Sequence, residues 1–179
     1  MRSGDPVHWY SAEPLPLGRL MTQAHIREAV VTCLSNDPVA KRIRVAARWY
    51  AQAHYAENAE DSALALGVGM DAMLTARQPL PGSAMADRIA WLVRDPAARS
   101  EARRDYLRFF GVRSAVAHGA SSSKLHDPSF LPDFFNFVTA TAWRLLDLHE
   151  SFHPTTDAQL DDLFESLRLG TTAWPAATA

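Results

Sequence analysis

Apolar positions recur along this chain at intervals of three and four residues, and strand-like alternation is nearly absent, so helices dominate. The pattern and its proline punctuation divide the chain into seven helical stretches. The first runs from about Gly18 to Leu34 and is ended by SNDP. The second starts at Pro38, a proline suited to a first helical turn, and continues through KRIRVAARWYAQAHYA. The third covers ENAEDSALALGVGMDAMLTAR and stops before Pro79; the fourth, SAMADRIAWLVR, stops before Pro96. The fifth runs from near Pro96 to Gly119, with the glycine as its C-terminal cap. The sixth spans about Leu131 to Phe152, before Pro154, and a short seventh spans Asp157 to Leu169 with Asp157 as N-cap. The expected fold is therefore all-α, a bundle of four to five main helices plus short additional ones. Residues 1–17, with Pro6, Pro14 and Pro16 and no period, read as an irregular arm. The helical domain is expected over 18–153, and residues 154–179 as a short helix and a loose tail, GTTAWPAATA.

Composition narrows the class. A chain of 179 residues with 47% hydrophobic and 21% charged positions fits one domain with a real core. The net charge of −2 gives no global basic field, so any nucleic-acid contact must rest on a local patch. One cysteine, Cys33, excludes an internal disulfide framework and fits a reducing, cytoplasmic setting. The N-terminus lacks the apolar core of a secretion signal, and no apolar run approaches membrane-spanning length.

Two stretches carry candidate chemistry. In the third helix Ala63, Gly67 and Asp71 lie at i, i+4 and i+8, a small-residue stripe that lets another helix approach closely. Asp71 then lies near a helix interface, where a carboxylate needs an arginine or histidine partner. The bland alternative is an exposed acid on a helix weakened by glycine. In the fifth helix residues 113–119 read RSAVAHG. Arg113 and His118 are five apart, about 140° around a regular helix. Tyr106, Phe110, Arg113 and Ala117 share one stripe; Phe109, Val112 and Val116 form an apolar one that faces the core; Leu107, Gly111, Ser114 and His118 form a third, narrow enough to leave a hollow. Arginine's reach and a relaxed helix end allow the two groups to converge over that hollow. Arginine supplies a permanent charged fork for phosphate oxygens, and histidine exchanges a proton near neutrality. Together they suit metal-free attack of a ribose 2′-OH on its phosphate, which DNA cannot undergo. The competing reading is a basic residue followed by glycine at an ordinary helix ending.

RSAVAHG resembles the R-x4-6-H signature of the HEPN superfamily, and in particular its Apea-like branch, where a segment like LRSxxxHG is usual. AENAEDSALALGVGMDAML resembles that family's preceding helix, with Asp71 in its acidic place, and WY at 49–50 and RIAWLV at 88–93 fall where similar segments occur. The likeness covers about residues 20–150. It implies a helical bundle that dimerises and a metal-independent endoribonuclease leaving 2′,3′-cyclic phosphate and 5′-hydroxyl ends. It also implies a role in prokaryotic antiviral defence or as a toxin, within a larger assembly such as a toxin–antitoxin pair. Arg113 and His118 take the catalytic places and Asp71 a supporting one. Ser114 stands where many active members carry an acidic, amide or histidine residue, and aspartate replaces glutamate at 71. Both departures also fit a silent dimerisation or regulatory module.

Other signals are weaker. Arg99, Arg103, Arg104, Arg108 and Arg113 outnumber Glu101 and Asp105, and Arg104 and Arg108 are the candidate RNA-backbone contacts. HESFH at 149–153 matches the zinc-hydrolase spacing HExxH, with Asp161 or Glu165 as third-ligand candidates, but Pro154 ends the helix at once. No metal or cofactor is expected; the expected partners are RNA and a second copy of the chain.

Overall fold

The computed structural model describes residues 31–75 and 79–175. All regular structure among them is helical, as the apolar periodicity predicts. Six α-helices lie wholly among the described residues: α1 (Pro38–His54), α2 (Ala59–Leu74), α3 (Gly82–Leu92), α4 (Arg99–Ala117), α5 (Phe130–Phe152) and α6 (Asp157–Leu169), with 3-10 turns at Pro96–Ala98 and Ser123–His126. Residues 31–34 are also helical; the rest of the expected first helix and the arm at 1–17 lie outside the described residues.

Local chemistry sets the helix ends. Asp37 caps α1 by accepting from the Ala40 amide at 2.8 Å, with Pro38 in the first turn. Asn58 caps α2 through the Asp61 amide, so α2 begins two residues after the expected Glu57. It also ends early, at Leu74, where Thr75 turns extended and its hydroxyl donates to the Asp71 carbonyl. The α6 cap is Thr156, not Asp157. Thr156 holds the extended backbone of a cap and accepts from the Gln159 amide, while Asp157 sits inside the first turn and pairs with Arg42 at 2.9 Å. The α4 ending follows the sequence expectation closely. Gly119 takes φ +76°, its amide donates to the Val116 carbonyl, and the Ala120 amide reaches the Ala115 carbonyl. Those two bonds are a Schellman motif, which needs a left-handed residue where glycine is cheapest.

Helix α2 is the centre of the bundle. It packs against α1, α4 and α5 and buries residues on several sides, among them Leu66, Met70, Met73 and Leu74. A helix apolar nearly all round belongs inside. Between α4 and α5 the core is aromatic: Phe109 stacks on Phe134 with centroids 4.4 Å apart, and Phe130 packs edge-on against both. Helix α6 joins the same core through Leu160, Phe164 and Leu167. The tail is tied down as far as Trp174, whose indole N–H donates to the Trp91 carbonyl at 3.0 Å and whose ring packs on Phe152. The expectation of a loose tail therefore fails for these residues, because a large apolar ring with one polar donor found a matching seat.

Candidate functional site

The site begins with the Ala63–Gly67–Asp71 stripe of α2. It faces α4, and Asp71 meets Arg113 there: the guanidinium Nη2 donates to Oδ2 at 2.5 Å. Both side chains are about three-quarters covered, at 25% and 26% exposure. Of the two readings of Asp71, the buried and paired one is correct. Burial pushes the Asp71 carboxyl above its ordinary range, and the neighbouring Arg113 charge opposes that only in part. The Arg113 Nε is also covered and has no hydrogen-bond partner among the described residues. Its guanidinium carbon lies 5.9 Å from the centre of the Phe110 ring.

Tyr106 completes this cluster from one turn before Phe110 and two before Arg113 on α4. It is 2% exposed, its hydroxyl donates to the Met85 sulfur at 3.4 Å, and its ring stacks on Phe110. Burial, and then the Asp71 charge, push its hydroxyl far above the ordinary tyrosine range, so it stays protonated. The remaining void between α2 and α4, bounded by Gly67, Asp71, Tyr106 and Arg113, is about 10 Å³. That is room for about one water and no more. Arg113 is thus anchored between α2 and α4.

The outer face of α4 is open. Leu107 is 36% exposed, Gly111 and His118 are exposed, and a side chain placed at Gly111 would meet nothing within 4 Å. Ser114 is half-buried, and its carbonyl accepts the His118 amide at 3.2 Å. The Phe109–Val112–Val116 stripe faces the core as expected, with Phe109 and Val112 each 2% exposed. The structure joins Arg113 to Asp71. It does not join Arg113 to His118, whose ring stands at the helix end without a side-chain hydrogen bond among the described residues.

The arginine surplus along α4 is largely consumed by acids from other helices. Arg103 pairs with Asp87 at 2.8 Å and Arg108 with Asp133 at 3.0 Å, while Arg99 covers the Trp91 ring and donates to the Val93 carbonyl. Arg108 is still 38% exposed and Arg104 is exposed, so both present charge at the surface.

The HESFH residues do not assemble a metal centre. His153 leaves the helix in a left-handed conformation with φ 48°, and His149 Nδ1 lies 3.8 Å from Asp37. Asp161 and Glu165, the third-ligand candidates, pair with Arg88 and Arg168. Among the described residues no three His, Cys, Asp or Glu side chains are grouped to hold a metal ion. Among the same residues, no helix is long and apolar enough to cross a membrane.

Sequence reasoning placed Tyr106 on the Arg113 stripe but gave it no part in the site, and it missed the contact between Gly67 and the Arg113 stem. The signal for the second was present: a glycine one turn before the acid, inside an otherwise strong helix. No family model, curated protein or solved structure matches the chain.

Proposed function

We propose that this protein is a metal-independent endoribonuclease of the HEPN type, cytoplasmic and homodimeric, acting in antiviral defence or as a toxin. The observation that carries this reading is the arrangement on α4. A carboxylate-anchored Arg113 is followed by a solvent-facing His118 at the helix end, beside a face left open at Gly111. The sequence likeness of RSAVAHG supports it independently.

In the proposed reaction a neutral imidazole takes the proton from a ribose 2′-OH. The oxygen attacks the adjacent phosphorus, and the bond to the 5′-oxygen breaks. A protonated imidazole gives its proton to that leaving oxygen, producing a 2′,3′-cyclic phosphate and a 5′-hydroxyl. Arg113 stabilises the charge on the equatorial phosphate oxygens in the transition state. One histidine cannot easily do both jobs at once, so a two-fold dimer across the open face of α4 supplies the second as the partner's His118. Asp71 holds Arg113 in register throughout.

The test is cleavage of single-stranded RNA by wild-type, Arg113→Ala and His118→Ala proteins, with 2′-O-methyl RNA of the same sequence alongside. The proposal expects RNA cut only by the wild type and the methylated strand untouched. Cleavage of the methylated strand would refute 2′-OH attack. The alternative of a silent dimerisation module draws on one observation, the occupation of the guanidinium by Asp71. It predicts a folded dimer that cuts no RNA.

A further inference from the structure

Gly67 lies in the middle of α2, with no turn and no left-handed backbone to require it. Glycine there weakens a helix relative to alanine, so something must exclude the extra methyl group. A Cβ at position 67 would lie 3.0 Å from the Arg113 Cβ, 3.2 Å from its Cδ, and closer still to its Cγ. The Cγ and Cδ could clear that methyl only by a change of the first rotamer, and the Cβ, fixed to the backbone, only by a shift of α4. Gly69, two residues on, behaves differently. It faces α1, and a Cβ there would make ordinary contact at 3.4 Å with Trp49 and the Ala46 carbonyl. Of these two glycines of α2, only Gly67 excludes a side chain.

The geometry continues along the same line. Asp71 stands one turn beyond Gly67 on the same face and receives the guanidinium. The Phe110 ring centre lies 5.9 Å from the guanidinium carbon, and Phe110 is itself pressed against Gly82 of α3, where a Cβ would fall 2.5 Å from its ring. The arginine stem lies against the glycine slot, and its guanidinium lies near an aromatic ring.

We propose that Gly67 is a positioning residue for Arg113: its missing side chain is the slot that lays the arginine stem against α2 and delivers the guanidinium to Asp71. The consequence for catalysis rests on the ribonuclease reading; the packing claim does not.

The experiment crosses Gly67→Ala with Arg113→Ala and reads thermal unfolding and single-turnover cleavage. In the wild-type background Gly67→Ala lowers the melting temperature. In the Arg113→Ala background the fall is clearly smaller, because the clashing Cγ and Cδ are gone and only the contact with the Cβ, at 3.0 Å, remains to offset the gain in helix propensity. Gly67→Ala also lowers the cleavage rate at saturating RNA at least tenfold while changing RNA affinity less than twofold. Gly69→Ala, which faces α1, leaves the rate within twofold of wild type. Should Gly67→Ala alone fail to fold, recovery of folding in the double variant supports the slot, and an unfolded double variant overturns it. An equal change in both backgrounds overturns the packing claim. A smaller fall in the Arg113→Ala background with an undiminished rate overturns the positioning role. If wild-type protein cuts no RNA, the ribonuclease reading fails, and the stability cycle still decides whether Gly67 places Arg113.

Discussion

Replacing Asp71 by alanine tests the ion pair that ties Arg113 to α2. The substitution leaves the Arg113 guanidinium three-quarters covered, its Nε already unpartnered, and its nearest charge partner gone. A fully exposed pair contributes about 0–1 kcal/mol, and breaking a fully buried one costs about 3–5 kcal/mol. At about one-quarter exposure on each side the loss should fall between these limits, at about 2 kcal/mol. For a domain of this size, that lowers the melting temperature by roughly 4–8 °C. Glu60→Ala is the control. Glu60 lies in the first turn of α2, so its loss removes a favourable helix-dipole interaction of about 0.5 kcal/mol, a shift of about 1–2 °C. Thermal melts followed by far-ultraviolet circular dichroism separate the two. The double variant Asp71→Ala/Arg113→Ala should be less destabilised than the sum of its parents, since the orphaned charge is gone. Equal small shifts for Asp71→Ala and Glu60→Ala, with strict additivity in the double variant, would refute the buried-pair reasoning.

Two further outcomes are expected. Burial holds the Asp71 carboxyl above its ordinary range, so the folded protein binds that proton more tightly than the unfolded chain; the stability this contributes is complete below the unfolded pKa and is lost as pH rises through the raised folded value. The urea-unfolding stability of wild type minus that of Asp71→Asn should therefore fall as pH rises from the ordinary aspartate range through the raised folded value, and a difference that grows would mean that Arg113 outweighs burial. For the dimer, Arg113→Ala and His118→Ala homodimers should each be inactive, while co-refolded heterodimers keep one arginine and one histidine from different chains and recover partial cleavage. A wild-type monomer that cleaves at full specific activity on dilution would exclude the shared site.

Most of the bundle was legible because its boundaries are local chemistry. Pro38, Gly119 and the prolines after α2, α3 and α5 act within a turn or two, and the apolar stripe of Phe109, Val112 and Val116 already pointed inward. The Ala63–Gly67–Asp71 stripe showed that α2 meets another helix, but not that Arg113 would be the partner; that pairing spans 42 residues and depends on how α2 and α4 cross. The same holds for Asp87 and Asp133, which pair with Arg103 and Arg108 and reduce a basic surplus that looked free along α4. The α6 cap was misplaced because Thr156 and Asp157 are both good capping types, and backbone geometry decided between neighbours. Trp174 found its seat on Trp91 and Phe152 through contacts that no short window contains.

The central claim is metal-free attack by a 2′-OH at a site built on Arg113 and His118. The most direct measurement incubates purified protein with mixed single-stranded RNA in excess chelator and analyses the new ends. The account predicts fragments with 2′,3′-cyclic phosphate and 5′-hydroxyl termini, undiminished by chelator and absent with His118→Ala. Cleavage that chelator abolishes, fragments carrying 5′-phosphates, or equal cleavage by the His118→Ala protein would contradict it.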